Sequence, residues 1–192
     1  MAMHTELWFP SVIWSSIIHV VDNAKLKHWA YDRKKNDIGR VISNFNGFQS
    51  SDILPGQCEY IDKLVDLLDK ETAACAKQVG LPEVKLYNIW LNINPPNSYN
   101  HLHHHVGSVF SGVYYVDAPA YCGNIQFERN DGAEYHIPEY VEKETYYTST
   151  RATYAAKTGA LYIFPGWLKH SVQGNRSSSD RISISFNYGE KK

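Results

Sequence analysis

The histidines of this chain are concentrated in one short stretch, residues 100–105, which reads Asn-His-Leu-His-His-His. Four of the nine histidines fall within five positions there. Side chains alternate between the two faces of an extended chain, so His101, His103 and His105 can point one way and His104 the other. Imidazoles two residues apart on one face can chelate a single transition metal. The stretch therefore predicts a metal site, and its internal position argues against a purification tag.

A second stretch, residues 158–172, places a lone histidine after an apolar strand and a Pro-Gly turn. That histidine is His170. Further on, Arg181 opens the segment Arg-Ile-Ser-Ile-Ser-Phe-Asn, whose apolar residues alternate as in a strand. A histidine pair, a distant third histidine and an arginine at the start of the next strand form one ordered set of candidate functional residues.

Together these motifs resemble those of the iron(II)- and 2-oxoglutarate-dependent oxygenases. The resemblance rests on four segments: H-x-H at 103–105, Ser-Gly-Val-Tyr-Tyr-Val at 111–116, Phe-Pro-Gly-Trp-Leu-Lys-His at 164–170 and Arg-Ile-Ser-Ile-Ser-Phe-Asn at 181–187. It is dense over about residues 86–188 and thin before them. It implies a jelly roll of the double-stranded β-helix type and the cofactors Fe(II) and 2-oxoglutarate, and it leaves the prime substrate open.

Members of this family usually hold the metal with two histidines and one carboxylate. This chain departs from that pattern. No Asp or Glu stands two residues after any histidine of the cluster. The third ligand is then a histidine, a water or a distant acid such as Glu128. We expect His103, His105 and His170 to bind the metal. His101 is the competing ligand, because the His101/His103 pair has the same spacing.

The resemblance also implies a binding site for 2-oxoglutarate. Arg181 is expected to bind the distal carboxylate, since a planar guanidinium can form two parallel hydrogen bonds to it. The alternative is a surface arginine at the start of a strand. Tyr115 resembles the strand tyrosine that bonds the same carboxylate, and Ser183 is placed to add a hydroxyl bond.

Strand alternation places three further residues near this site or away from it. Tyr114 should point to the face opposite Tyr115. Asn92 and Trp90 precede the histidines on alternate positions of one strand, so they share a face. Either can line the pocket, and Asn92 is our candidate for cofactor binding, although packing explains both equally well.

The elements that position these residues are expected to be mostly strands. Asp22 is expected to cap a helix over residues 23–35, and the apolar residues of 57–79 follow helical spacing up to Gly80. Strands are expected at 84–93, 108–116, 123–127, 145–156, 160–164 and 181–188, with a short one near 40–43. This predicts a mainly β fold with N-terminal helices, in a single domain over 1–192: a helical support region over about 19–81 and a β core over about 84–188.

Composition narrows the class of protein. With 19 basic and 20 acidic residues the formal charge is −1, which gives no electrostatic basis for binding nucleic acid or a membrane surface. Three widely spaced cysteines without C-x-x-C argue against a disulfide framework, and the N-terminus does not resemble a signal peptide. We therefore expect a cytoplasmic enzyme with neither nucleic acid nor membrane as a partner.

The function implied by the resemblance is that of a dioxygenase that takes 2-oxoglutarate and O₂ as co-substrates. It would hydroxylate a peptidyl or small-molecule substrate with release of succinate and CO₂. One alternative is a cupin-like three-histidine metalloenzyme that does not use 2-oxoglutarate. Gly159, Pro165 and His170 match the spacing of a second cupin motif, but the glutamate of the first motif is missing. The other alternative is a non-catalytic binding module, because a fold alone does not determine activity.

Overall fold

Two antiparallel β-sheets form the body of the protein, and two helices cover one of them. The computed structural model describes residues 3–19 and 21–190, so the predicted domain span of 1–192 includes residues 1, 2, 20, 191 and 192, which lie outside the described residues. The helices are α1 (Asn23–Lys35) and α2 (Glu59–Gln78). The strands are β1 (Trp14–Ile17), β2 (Asn44–Phe45), β3 (Phe48–Gln49), β4 (Val84–Asn94), β5 (Tyr99–His103), β6 (Phe110–Asp117), β7 (Ile125–Glu128), β8 (Arg151–Tyr154), β9 (Ala160–Pro165), β10 (His170–Val172) and β11 (Arg181–Glu190).

The order of the strands defines a double-stranded β-helix. The larger sheet has six strands in the order β1-β9-β6-β11-β4-β3, and the smaller has five in the order β2-β5-β10-β7-β8. Strands that follow one another in sequence, such as β4 and β5 or β9 and β10, fall in opposite sheets. The chain therefore crosses repeatedly between two facing sheets, which confirms the predicted mainly β fold with N-terminal helices.

The two faces of the larger sheet belong to different cores. Its outer face packs on the helices through an apolar cluster to which Leu26, Leu64, Leu68, Tyr114 and Phe186 belong. Its inner face contributes to a smaller cluster between the sheets, with Val113, Tyr115, Phe127, Phe164 and Leu168. Tyr114 and Tyr115 thus lie on opposite faces of β6, as strand alternation predicts.

The start of α1 and the end of α2 follow signals that the sequence contains. The side chain of Asp22 accepts a hydrogen bond from the backbone N–H of Lys25 at the start of α1. Along α2, Ile61, Leu64 and Leu68 are buried against the sheet. Gly80 then adopts a left-handed φ of 72°, which a residue with a side chain rarely does, and the helix ends before it. The predicted N-terminal helices are confirmed, and both pack on the larger sheet.

The strand predicted near residues 40–43 is wrong. In that segment only Arg40 joins the sheet, through an isolated bridge, and β2 begins later, at Asn44. The Asn44 side chain accepts a hydrogen bond from the backbone N–H of Ile42 and donates one to the Arg40 carbonyl. These local bonds hold the backbone in a turn, so they replace the ladder of a strand.

The strand predicted over residues 145–156 is too long, since only β8 (Arg151–Tyr154) forms within it. Thr145 Oγ1 accepts hydrogen bonds from the backbone N–H groups of Tyr147 and Thr148. A threonine hydroxyl that bonds the backbone two and three residues ahead closes a turn. The β-branched composition of the segment indicated a strand, but this local bonding prevents one at its N-terminal end.

Two further properties of the fold concern cysteines and membranes. All three cysteines are buried free thiols. Within the described ranges, no helix combines the length and the apolar character that crossing a bilayer requires.

Candidate active site

Strand pairing brings the distant histidine to the histidine cluster. β5 and β10 are antiparallel neighbours, and His103 lies directly opposite His170. His105 lies two residues beyond the end of β5, where its backbone N–H donates to the carbonyl of Gly166, 2.8 Å away. One ring nitrogen from each of the three imidazoles lies within 4.8 Å of the other two. The structure therefore groups the three histidines that the sequence predicts as ligands.

Backbone carbonyls orient two of these rings. His103 Nδ1 lies 2.7 Å from the carbonyl oxygen of His101, and His170 Nδ1 lies 2.9 Å from that of Leu168. A protonated Nδ1 donates in each case, so Nε2 keeps the lone pair that a metal requires. The Nε2 atoms of His105 and His170 lie 3.3 Å apart. Such close nitrogens suit a shared metal ion.

Burial favours the neutral form of all three imidazoles. It lowers the pKa of His105 to about 4. It also lowers the pKa of His103 and of His170, with a smaller contribution from repulsion among the neighbouring histidines. Neutral imidazole is the form that binds a metal, so the cluster is ready for metal at neutral pH.

The other residues considered as ligands lie outside this cluster. His101 is exposed and packs edge-on against the ring of Tyr99, with centroids 4.9 Å apart. His104 is also exposed. Glu128 pairs with Arg151 at 2.9 Å. Over residues 3–19 and 21–190, the three-histidine group is the one set of His, Cys, Asp or Glu side chains whose ligand atoms converge in this way, and it contains no carboxylate.

The histidines line a pocket of about 320 Å³ that also contains the residues expected to bind 2-oxoglutarate. Arg181, the first residue of β11, lies opposite Asn94 of β4. Ser183 lies opposite Asn92 on one side and Tyr115 on the other. These five side chains line one pocket and are neighbours on the inner face of the larger sheet.

The guanidinium of Arg181 is held at one end and free at the other. Its Nη1 donates to the carbonyl oxygens of Cys122 and Gln173. Its Nη2 is buried and finds no hydrogen-bond partner in the described part of the chain. Gly123 permits this close approach, because a Cβ at that position would lie 2.9 Å from Nη1 and would collide with the Gln173 carbonyl. The free Nη2 leaves room for a ligand to complete the hydrogen bonds of Arg181.

Tyr115 is a second buried donor whose bonding is incomplete. Its side chain is 1% exposed, and its hydroxyl has no partner among the residues that the structure describes. Burial raises its pKa, although Arg181 works in the opposite direction, so the hydroxyl stays protonated and can donate. Asn92 differs, since its Nδ2 already donates to Ser185 Oγ at 3.0 Å.

The chemistry of these groups fits a transition metal and a dicarboxylate. Three neutral imidazole nitrogens suit iron better than Mg²⁺ or Ca²⁺, which prefer oxygen ligands. A carboxylate can accept hydrogen bonds from both a guanidinium and a hydroxyl, which would remove the roughly 1–3 kcal/mol cost of leaving each buried donor unpaired. Trp90 also lines the pocket, and the centroid of its ring lies 5.9 Å from that of His105.

The motifs did not single out Asn94 or Gly123, both of which bear on the pocket. Asn94 is 2% exposed and lines the pocket. Strand alternation could have found it, because it lies two residues after Asn92 and therefore on the same face. Gly123 was read only as the start of a strand, since nothing in the sequence indicates that Arg181 approaches it.

Comparisons with known proteins agree with this fold and chemistry. Residues 88–187, more than half of the chain, match the family described as "Putative 2OG-Fe(II) oxygenase". A search of curated proteins finds no match. Similar solved structures include a prolyl-4-hydroxylase from Pseudomonas putida, with 15% identity, a TM-score of 0.68, and coverage of 95% of this chain and 94% of that one.

Two other similar structures differ in what they do or bind. One is SnoN, an α-ketoglutarate-dependent epimerase from nogalamycin biosynthesis, with 14% identity, a TM-score of 0.67, and coverage of 94% of this chain and 77% of that one. The other is HygX from Streptomyces hygroscopicus with nickel and 2-oxoglutarate bound, with 12% identity, a TM-score of 0.63, and coverage of 95% and 84%. At these identities the structures establish the fold, while the family match covers the histidines and Arg181. The chain belongs to the 2OG-Fe(II) oxygenase family, and its cofactors are Fe(II) and 2-oxoglutarate.

Proposed function

We propose that the protein is a 2-oxoglutarate-dependent dioxygenase that hydroxylates a peptidyl or small-molecule substrate. One observation carries this proposal: three converging imidazoles share a pocket with Arg181 Nη2 and the Tyr115 hydroxyl, both buried and without a partner among the described residues. A cupin-like enzyme that needs only the metal would have no use for an unpaired buried guanidinium. The arrangement therefore supports a site for metal and dicarboxylate together.

In this proposal His103, His105 and His170 hold Fe(II). The carbonyl contacts of His103 and His170 fix the tautomer and the ring orientation, which is the usual task of a metal ligand's second nitrogen. Because all three ligands are neutral, they leave the full double charge of the ion in the pocket. A carboxylate ligand would reduce that charge by one, so the three-histidine set favours a dianionic co-substrate.

Arg181 would bind the distal carboxylate of 2-oxoglutarate through Nη2, and Tyr115 would donate a further hydrogen bond to it. Ser183 pairs with Tyr115 on the adjacent strand, and the side chain of Asn92 donates a hydrogen bond to Ser185 Oγ in the lining of the pocket. Iron and 2-oxoglutarate, once bound, supply the oxidising power for hydroxylation by O₂, with succinate and CO₂ as co-products. Val113 and Phe164, from the apolar cluster between the sheets, also line the pocket, and their side chains offer water no hydrogen-bond partner there.

Proteins of this fold include a prolyl-4-hydroxylase and an epimerase from nogalamycin biosynthesis, and we take them as counterparts of the two substrate classes. We keep both in the proposal, because the residues that line the pocket are compatible with an amino-acid side chain or a small molecule. A cytoplasmic location is part of the same proposal, and it is supported by the three free thiols.

The proposal is tested by measuring succinate formation from 2-oxoglutarate with the Fe(II)-loaded protein in air, alongside calorimetric binding of 2-oxoglutarate without O₂. We expect both with the wild type, and neither with Arg181→Ala, which should still bind iron. Metal binding without affinity for 2-oxoglutarate would support the cupin-like alternative instead. A protein that binds neither would support the non-catalytic module.

A further inference from the structure

We propose that Asn94 is a third hydrogen-bond donor to the distal carboxylate of 2-oxoglutarate, an inference that rests on the proposed function of this pocket. Five buried side-chain atoms lack a partner within the described ranges, and three of them belong to residues that line this one pocket. The three are Arg181 Nη2, the Tyr115 hydroxyl and Asn94 Nδ2. Their concentration in one pocket indicates a shared missing acceptor.

Strand register places Asn94 at the arginine end of the pocket. Asn94 and Arg181 are directly opposite on β4 and β11. Cβ atoms of such pairs lie about 4.5–5.5 Å apart, so both side chains can reach one small anion. Ser183 is the next residue on the inner face of β11, and Tyr115 lies opposite it on β6. Asn94 and Arg181 thus form one cross-strand pair, and Tyr115 lies in the next row of residues on the same face of the sheet.

The acceptor that three such donors require is a carboxylate. An ionised carboxylate has two oxygens with about four lone-pair positions and no hydrogen to donate. A guanidinium and a phenol leave at least one of these positions open. An amide N–H fills it without adding charge, which suits a group whose negative charge Arg181 already balances. A neutral hydroxyl or carbonyl would accept fewer hydrogen bonds than the three donors offer.

The Asn94 amide differs from that of Asn92 in the space around it. Both asparagines lie on one face of β4, and both are buried, at 2% and 6% exposure. Asn92 is engaged by Ser185 Oγ. Asn94 packs against Gly47 instead, where an added Cβ would lie 2.6 Å from Nδ2. The Asn94 amide thus occupies the space that a side chain at position 47 would fill.

The experiment is calorimetric binding of 2-oxoglutarate to the Fe(II)-loaded protein without O₂, so that the readout is affinity and not turnover. Asn94→Ala should weaken binding about 10- to 100-fold, the usual effect of losing a hydrogen bond to a charged group. Gly47→Ala should act in the same direction, because its methyl group displaces the Asn94 amide without removing it. Iron affinity should stay at the wild-type value in both variants.

Two controls locate the effect. Asn88 lies on the same face of β4 but about 20 Å along the strand from Asn94, so Asn88→Ala should leave the affinity for 2-oxoglutarate unchanged. Pyruvate is an α-keto acid that lacks the distal carboxylate. It should bind the wild type and Asn94→Ala equally well.

The outcomes separate this inference from the proposed function. If the wild type binds 2-oxoglutarate and Asn94→Ala binds it equally well, the role of Asn94 is wrong while the function stands. An equal loss of affinity for pyruvate would also overturn it, because the distal carboxylate would then not be the acceptor. A wild type without affinity for 2-oxoglutarate would overturn the proposed function itself.

Discussion

The two faces of the larger sheet consist of alternate residues of the same strands, yet they differ in how their buried tyrosine hydroxyls are bonded. On the outer face, the Tyr114 hydroxyl donates to Asn23 Oδ1 at 2.8 Å, and the Tyr188 hydroxyl donates to Asp69 at 2.6 Å. On the inner face, the Tyr115 hydroxyl is buried as deeply and has no partner in the described part of the chain. Buried polar groups are normally paired. The hydroxyls of Tyr114 and Tyr188 are therefore satisfied within the protein, while that of Tyr115 is open to a ligand.

The same contrast runs along β11. Its outward residues Ile182, Ile184 and Phe186 are apolar and belong to the core under the helices. Its inward residues Arg181 and Ser183 are polar and line the pocket. One strand thus contributes to the core on one face and to the pocket on the other, so substitutions on the two faces should change different measured quantities.

The largest effect is expected for His170→Ala on the inner side. The variant should lose tight Fe(II) binding, by more than the roughly 10- to 100-fold cost of removing a group that only supports a ligand. His103→Ala should behave in the same way. Equilibrium dialysis without O₂ measures the iron, and circular dichroism checks the fold. His104→Ala is the matched control, because His104 is exposed and outside the cluster. Full iron occupancy in His170→Ala would show that His170 is not a metal ligand.

The next largest effect is expected at Arg181, whose guanidinium lines the pocket. Arg181→Lys keeps the charge but loses the planar fork, so the affinity for 2-oxoglutarate should fall by about 1–3 kcal/mol while iron still binds. Titration calorimetry measures the affinity for 2-oxoglutarate on the iron-loaded protein and the affinity for iron on the iron-free protein. An unchanged affinity would favour the cupin-like alternative.

The tyrosine pair compares the two faces directly. Tyr114→Phe removes a satisfied hydrogen bond, so the free energy of unfolding should fall by about 1 kcal/mol while the affinity for 2-oxoglutarate stays the same. Tyr115→Phe removes a hydroxyl that is unpaired in the ligand-free protein. It should leave the unfolding free energy unchanged or raised and weaken 2-oxoglutarate binding about tenfold. Urea denaturation and calorimetry measure the two quantities, and the opposite pattern would show that the two faces have been misassigned.

The smallest changes are expected when an aspartate replaces His105 or His101. His105→Asp should keep iron, because it restores the usual set of two histidines and one carboxylate. His101→Asp should be nearly neutral for iron affinity, since that side chain lies outside the cluster. Iron binding by anaerobic titration compares the two. Loss of iron in His101→Ala together with retention in His105→Ala would make His101 and His103 the ligand pair.

Features set by nearby residues could be predicted from the sequence. The Asp22 cap, the apolar stripe of α2 and the alternation of β4 and β11 depend on neighbours in sequence, and they appear where expected. The grouping of His170 with His103 followed from the resemblance to a family and not from spacing alone. The strand pairing that produces it joins residues far apart in the chain.

Features that depend on distant segments could not be predicted. Strand alternation put His101 and His105 on one face with His103, and His105 was expected as the ligand with His101 as its competitor. In the structure β5 ends at His103, and of the two only His105 lies with His170. The space that the Asn94 amide occupies exists because residue 47, in another segment, is a glycine. The missing partners of Arg181 and Tyr115 likewise become visible only when every neighbour is in place, because a sequence does not show which hydrogen bonds fail to form.

The unpaired donors of the inner face also bear on how long the protein survives. A ligand that binds only the folded chain shifts the unfolding equilibrium by mass action, by about 2.7 kcal/mol at a concentration one hundred times its dissociation constant. Proteases act on the transiently opened chain, so this shift lowers the rate of degradation. Because 2-oxoglutarate would complete the bonding of Arg181 and Tyr115, the steady-state amount of this protein should rise and fall with the supply of its own co-substrate, without any separate regulatory site.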